Sequence, residues 1–403
     1  MVSCSFLPPA KSLLKYIAVG LVIFTGIRCQ NNKQQPTTND RKPEGAFTDS
    51  LTLVETETIY FPIDTATNYN TLYLTTHASP QTGQRFLVYQ CDNKNSIQFY
   101  DFDKRYLVKE IRFSKFGPNG IPRITGFYVF TPDSLLVLSA HQRRLYLVNG
   151  QARVLNTYNL LKGDESSETT MALFTTGNEP FLVDDTFYMH AFPDRSPYYR
   201  GKHIQAVNLQ NGRYAYAGNY PGIYEKKGGW ETMFTSVGKY YNPESKLLYS
   251  SHTGTRYLYY GPVGHDLQYK AYAGSKFFDD ILPLSAEDNK KGASYIYLTQ
   301  NYYHQVLYDP YRQLYYRVAF LAVDPLNDQN EKNNLQDKPM SIIILNKNLK
   351  KVGETLLPPN RYYYRTLFVE KEGLYIAATH YRNPELREDR LAYALLVPQP
   401  LQK

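Results

Sequence analysis

Cysteine, tryptophan and long apolar runs are all scarce in this chain, and each scarcity narrows what it can be. Only Cys4, Cys29 and Cys91 occur among 403 residues. Cys4 lies in the leader considered below, and if Cys29 is modified Cys91 stands alone, so no intramolecular disulfide is expected. A core of this size does without one. There is no CxxC pair, HExxH helix, GxSxG elbow, Walker-type phosphate loop or EF-hand run. These absences remove the motif-borne routes to metal, nucleotide and serine-hydrolase chemistry, although a site assembled from scattered residues stays open. Neither a cofactor nor a metal is expected. A basic tract is also missing. Taking Lys11, Lys15 and Arg28 of the leader from the formal charge of +8 leaves +5. Nucleic acid is therefore not an expected partner, while anionic ligands or glycans are compatible but not required.

What the chain has in excess is tyrosine: 39 Tyr and 20 Phe stand against one Trp. With Val, Ile and Thr, these residues suit pleated, half-buried surfaces and point to strands.

The N-terminus reads as an export signal. Lys11 and Lys15 precede the short apolar run YIAVGLVIFTGI, residues 16–27, which falls short of the about 20 residues that span a bilayer as a helix. Cys29 follows in the sequence TGIRC, which resembles the end of a bacterial lipoprotein signal. Arg28 stands where Gly, Ala or Ser is usual. Residues 30–50 have the polar, Gln- and Pro-rich composition of a solvated tether. The expected organisation is a lipoprotein-type signal over 1–28, a tether over 29–49 with Cys29 lipidated, and one domain over 50–403. A cleaved, unanchored protein is the alternative. The expected location is the bacterial cell envelope, with the membrane engaged through the lipid.

From residue 51 onward, short strand patterns alternate with turn residues, and no helix-period segment stands out. SIQFYDFDKRYLVKEIRF (96–113), RLYLVNGQARVLNTYNL (144–160) and HIQAVNLQNGRYAYAG (203–218) each read as strand, turn and strand. Two more strand-like runs precede each, giving about four strands per module, the size of a propeller blade. Modules fall near 71–115, 122–160, 171–220, 233–275, 294–357 and 362–398. The last has three clear strands, and SLTLVETETIYFPI (50–63) supplies the fourth, which closes the ring without a free edge. The expected fold is thus all-β: a six-bladed β-propeller of four-stranded blades, closed by an N-terminal strand, and monomeric.

This leader, the length and the blade pattern, including KFGPNGIPRITGFYVFTPDSLLVLSAHQRRLYLVNG (115–150), resemble a family of Bacteroidetes lipoproteins built around a domain of unknown function, DUF4221-like. The resemblance covers nearly the whole mature chain and implies a six-bladed, TolB-like propeller. It brings no catalytic residues with it.

Four of the eight histidines recur at one place, just after the second strand of a module: His141, His190, His252 and His380. An arginine follows each within five residues: Arg143, Arg195, Arg256 and Arg382. Module one carries Cys91 there. Repetition alone accounts for such a pattern, because internal repeats echo packing solutions. The functional alternative is a ring of imidazole and guanidinium groups at a shared mouth, where Arg suits carboxylate or phosphate. Groups on separate modules converge poorly on the about 2 Å bonds of a metal centre. Trp230, beside two glycines in an inter-module loop, is either an exposed aromatic anchor or buried against a neighbouring module. The long insertions 193–202 and 324–340 lie on the same face. Two functions compete: a lipid-anchored binding or scaffold module for a protein or glycan partner, and an envelope hydrolase or lyase for an anionic or carbohydrate substrate.

Overall fold

Asp and Asn at strand ends set the rhythm of the fold. The side chains of Asp101, Asn149, Asn208, Asn242, Asp309 and Asn346 each accept backbone N–H bonds from the residues that follow, at 2.8–3.3 Å. Each bond folds the chain back into the next strand. The structure, a computed structural model, describes residues 47–160, 170–193, 198–225, 230, 236–279, 281–285 and 287–401. The leader, the tether up to residue 46, Cys29 and Arg195 lie outside the described residues.

Strand β1 (Phe47–Pro62) comes first. A four-stranded meander follows: β2 (Leu74–Ala78), β3 (Arg85–Cys91), β4 (Ser96–Asp101) and β5 (Leu107–Arg112). The second is β6 (Gly126–Thr131), β7 (Ser134–Ser139), β8 (Arg144–Asn149) and β9 (Val154–Asn159). The third is β10 (Thr170–Ala172), β11 (Phe181–Val183), β12 (Thr186–Pro193), β13 (Ile204–Asn208) and β14 (Tyr214–Ala217). The fourth is β15 (Val237–Asn242), β16 (Leu247–His252), β17 (Tyr257–Pro262) and β18 (Tyr269–Tyr272). After helix α1 (Ala293–Thr299) come β19 (Tyr302–Asp309), β20 (Leu314–Phe320), β21 (Met340–Asn346) and β22 (Lys351–Leu356). The chain ends with β23 (Tyr363–Glu370), β24 (Gly373–Ala377) and β25 (Arg390–Pro400).

The fold is all-β and propeller-like, and the expected boundaries match these meanders. The expected six separate blades do not stand. Four blades are separate sheets, but the remaining strands form one continuous eight-stranded sheet, β19-β20-β21-β22-β1-β25-β24-β23. The reason is β1. It runs antiparallel to β25 from Leu51↔Pro400 to Pro62↔Arg390, as the closing strand should. Its first residues also pair in parallel with β22, at Phe47↔Lys351 and Leu51↔Gly353. A side chain at 353 would collide with the Leu51 carbonyl, so Gly353 is what lets the two strands meet. The end strands β19 and β23 also touch, which curls this sheet nearly closed. The short helix α1 was not legible as a helical period. Lys338 Nζ caps it by donating to Leu298 O and Gln300 O at 2.7 and 2.8 Å.

Middle strands are apolar on both faces because a neighbouring blade covers each one. β3 (RFLVYQC) and β20 (LYYRVAF) are buried along their whole length. Outer strands such as β5 are largely exposed. Two polar devices tie blades together. Arg317, fully buried on β20, donates to Ser251 Oγ, Ala273 O, His252 O and Thr255 O at 2.7–3.2 Å, and stacks 3.8 Å over the Tyr303 ring. Arg85 joins the first module to the last, bonding Glu370 and Glu372 at 2.9 Å as well as Asp103.

Candidate functional site

The innermost strand of the third blade is broken, and the break builds the site. β10 pairs with the far half of β12 (Thr170↔Pro193 to Ala172↔Ala191), and β11 with the near half (Phe181↔Tyr188 to Val183↔Thr186). Residues 173–180 stand opposite only Met189 and His190, so the surplus chain, FTTGNEP, must leave the sheet. It leaves inward, toward the centre on which β2, β15, β19 and β23 converge.

There it bonds across to other blades. Thr176 N donates to Leu72 O at 3.2 Å, and Leu74 N donates to Thr176 Oγ1 at 3.0 Å. Lys239 N on β15 donates to Asn178 Oδ1 at 2.7 Å. Gly177 has φ +81°, and a Cβ there would meet the Gln305 side chain of β19 at 2.2 Å. Only glycine satisfies both the backbone angle and the space. The excursion is therefore a plug fixed to three blades.

Glu179 and Phe181 carry the plug into a cavity of about 360 Å³, near the lower end of the ~300–1,000 Å³ usual for small-molecule sites. Tyr240, Tyr241, Tyr308, Tyr311 and Phe368 form much of its wall. Phe181 stacks on Tyr241 at 4.7 Å and on Tyr188 at 5.1 Å. Ala78, Arg85, Pro310 and Glu370 place its opening at the turns between first and second strands.

Glu179 is the chemically distinctive lining group. Its side chain is open to the cavity space but ringed by protein, and Thr75 Oγ1 donates to Oε2 at 3.0 Å. Burial pushes its carboxyl up to about 7, with the Thr75 bond only partly opposing. Lys239 also lines the cavity, yet its Nζ turns away to Val237 O at 3.0 Å and to His190 Nδ1, and burial holds it far below the usual lysine range. No group of three or more His, Cys, Asp or Glu among the described residues is placed to hold a metal ion.

The histidines expected at one mouth have different surroundings, at the opposite end of the strands from this opening. His141 is exposed on a single turn after β7, 3.2 Å from Arg123 Nη1. His190 is buried against Lys239 and Phe192. His252 is buried among Tyr220, Tyr224, Tyr259 and His203. His380 is buried under the 324–340 insertion, bonding Gln336 O at 3.1 Å and stacked on Tyr381. Of the four, the fold brings His190 and His252 into one neighbourhood, with His203 and Lys239 beside them. Burial lowers all three imidazoles well below the ordinary value. Arg143 takes a left-handed turn conformation, Arg256 lies 5.8 Å over Tyr272, and Arg382 lies 3.7 Å from Glu331 and Asp337. Trp230 is buried against Tyr224 and covers Gly254. Glu179 escaped the spacing argument because it belongs to no repeat. Its one signal was a Gly–Asn–Glu–Pro run interrupting a strand pattern.

A family model described as a domain of unknown function (DUF4221) matches residues 50–356. Among solved structures, a DUF4221-family member from Bacteroides vulgatus is similar at 22% identity with a TM-score of 0.76, over 88% of this chain and 99% of that one. A protein from Bacteroides fragilis, named as a candidate exported protein, is similar at 10% identity with a TM-score of 0.50, over 87% and 96%. No curated protein matches this chain by sequence.

Proposed function

The chain belongs to the DUF4221 family, and from that premise we propose that it is an exported binding module, monomeric and lipid-anchored in the cell envelope through Cys29, which takes the end of a glycan into its central cavity. The observation that carries this reading is the cavity itself. A concave site with aromatic walls and a few convergent polar groups suits a sugar ring, whose C–H faces stack on aromatics while its hydroxyls meet Glu179, Thr76 and Glu370. A protein partner would reach the same opening only by inserting a side chain. Export is supported by the short apolar run before Cys29 and by the name of the Bacteroides fragilis neighbour. Among the described residues no helix is long and apolar enough to cross a membrane.

The test is calorimetric titration of envelope-derived oligosaccharides into the wild type and into Ala78→Trp, which fills the cavity mouth. Binding by the wild type and its loss in the filled variant are expected; equal binding by both refutes the site. For the anchor, a clickable palmitate analogue should label the wild type and spare Cys29→Ser.

One observation favours a second reading, carbohydrate hydrolysis. A carboxyl still about half protonated near pH 7, as one raised to about 7 is, suits a general acid for a glycosidic oxygen. Release of reducing sugar that disappears in Glu179→Gln would establish it, whereas binding without release leaves the module a binder.

A further inference from the structure

Resting on that reading of the cavity, we infer that the ligand presents a protonated amine to the cavity, and that Glu179 is its counter-ion.

The first observation is a missing cation. Glu179 receives one neutral hydroxyl bond, from Thr75, and no ion pair with it occurs among the described residues. Both cationic side chains along the wall are already committed. Arg85 is shared by Asp103, Glu370 and Glu372, and Glu372 also lies 4.0 Å from Lys371 Nζ. Lys239 sends its Nζ away from the cavity, to His190 and Val237 O, and burial holds it far below the usual lysine range. The second observation is the wall. Tyr240, Tyr241, Tyr308 and Tyr311 line the cavity, and aromatic rings are the side chains whose quadrupole attracts a cation. The third is the plug. Glu179 is fixed by a strand excursion held at Leu72, Leu74 and Lys239, so the carboxyl is positioned before any ligand arrives. A neutral sugar would satisfy the hydrogen bonds of this site and leave its charge unanswered. An ammonium answers both.

The raised Glu179 carboxyl adds a signature. Near pH 7 about half of these groups carry a proton, and a bound cation drives them to the ionised form, releasing roughly half a proton per ligand.

A charge series on one ring tests the inference: glucosamine, glucose and glucuronate, titrated calorimetrically at pH 7 into the full chain. Choline, a permanent cation, is titrated in two buffers of different ionisation enthalpy to count protons. Expected are at least tenfold tighter binding of glucosamine than of glucose, still weaker glucuronate, and proton release with choline. Glu179→Gln keeps the shape and a hydrogen bond to Thr75, and should lose at least tenfold for glucosamine while changing glucose less than about twofold. Equal or tighter binding of glucose or glucuronate overturns the amine inference but leaves the binding reading standing, as does a Glu179→Gln variant with unchanged glucosamine affinity. No binding of any ring and no choline response, in protein whose circular dichroism is native, overturns both.

Discussion

Acidification from pH 7.5 to 5.5 should weaken this fold by several kcal/mol, and four buried histidines set the size of the effect. His190, His203 and His252 sit where blades three and four meet, and burial holds each imidazole well below its ordinary value; His304 on β19 is pushed down to about 4 for the same reason. The folded chain therefore refuses protons that the unfolded chain accepts, so this stability is complete above the ordinary histidine value of about 6.5 and is lost as pH falls below it. At pH 5.5, one unit below that value, each histidine contributes a loss of about 1.4 kcal/mol, or roughly 5–6 kcal/mol for four. Glu179 works the other way, because its raised carboxyl lets the folded state take a proton first, but its exposure to the cavity screens the effect and the net loss is only somewhat smaller. That is a large part of the ~5–15 kcal/mol by which domains are usually stable. Urea unfolding followed by circular dichroism at pH 7.5, 6.5 and 5.5 reads it directly. His252→Gln removes one titrating group, so its stability should fall less steeply with pH, by about a quarter of the histidine contribution. Equal stability at the two ends of the range, or an unaltered slope in the variant, would refute the reasoning.

Three further outcomes follow from the packing. Arg317→Met strips four acceptors of a charged donor between blades four and five, and should lower stability by roughly 3 kcal/mol or more in thermal unfolding; a shift under a degree would contradict the bonding described. Gly177→Ala, forced into a positive φ against Gln305, should lose at least about 1–2 kcal/mol and also weaken ligand binding, because the plug positions Glu179. Arg85→Ala leaves the buried Glu370 carboxyl without its ion pair, and should cost roughly 2–3 kcal/mol in urea unfolding at pH 7.5.

Much of the architecture was legible because it rests on local chemistry. The turn runs at Asp101, Asn149 and Asn211 marked hairpins where the structure has them, and the β-rich pattern around them gave the modules. The return of β1 to the last module could be read from its unpaired position in the count. Fusion of the last two modules could not be read, since a strand's own period says which residues share a face and nothing about a second edge. The parallel contact with β22 involves few residues and depends on the space at Gly353. The histidines of the series lie near the end of, or just after, the second strand of their modules. However, His190, His252 and His380 follow strands whose other residues are mostly buried, so those imidazoles enter the packing, while His141 turns out on an exposed turn. Glu179 and Lys239 carry no motif and meet only because an interrupted strand crosses to blades distant in the chain.

The place of β1 has a mechanical consequence. Lying mid-sheet with ladders on both sides, it is loaded in shear by a pull along its length, so its bonds to β25 and β22 must yield together rather than one rung at a time. Tension on the N-terminal side of the domain would thus be carried into its last two modules at once.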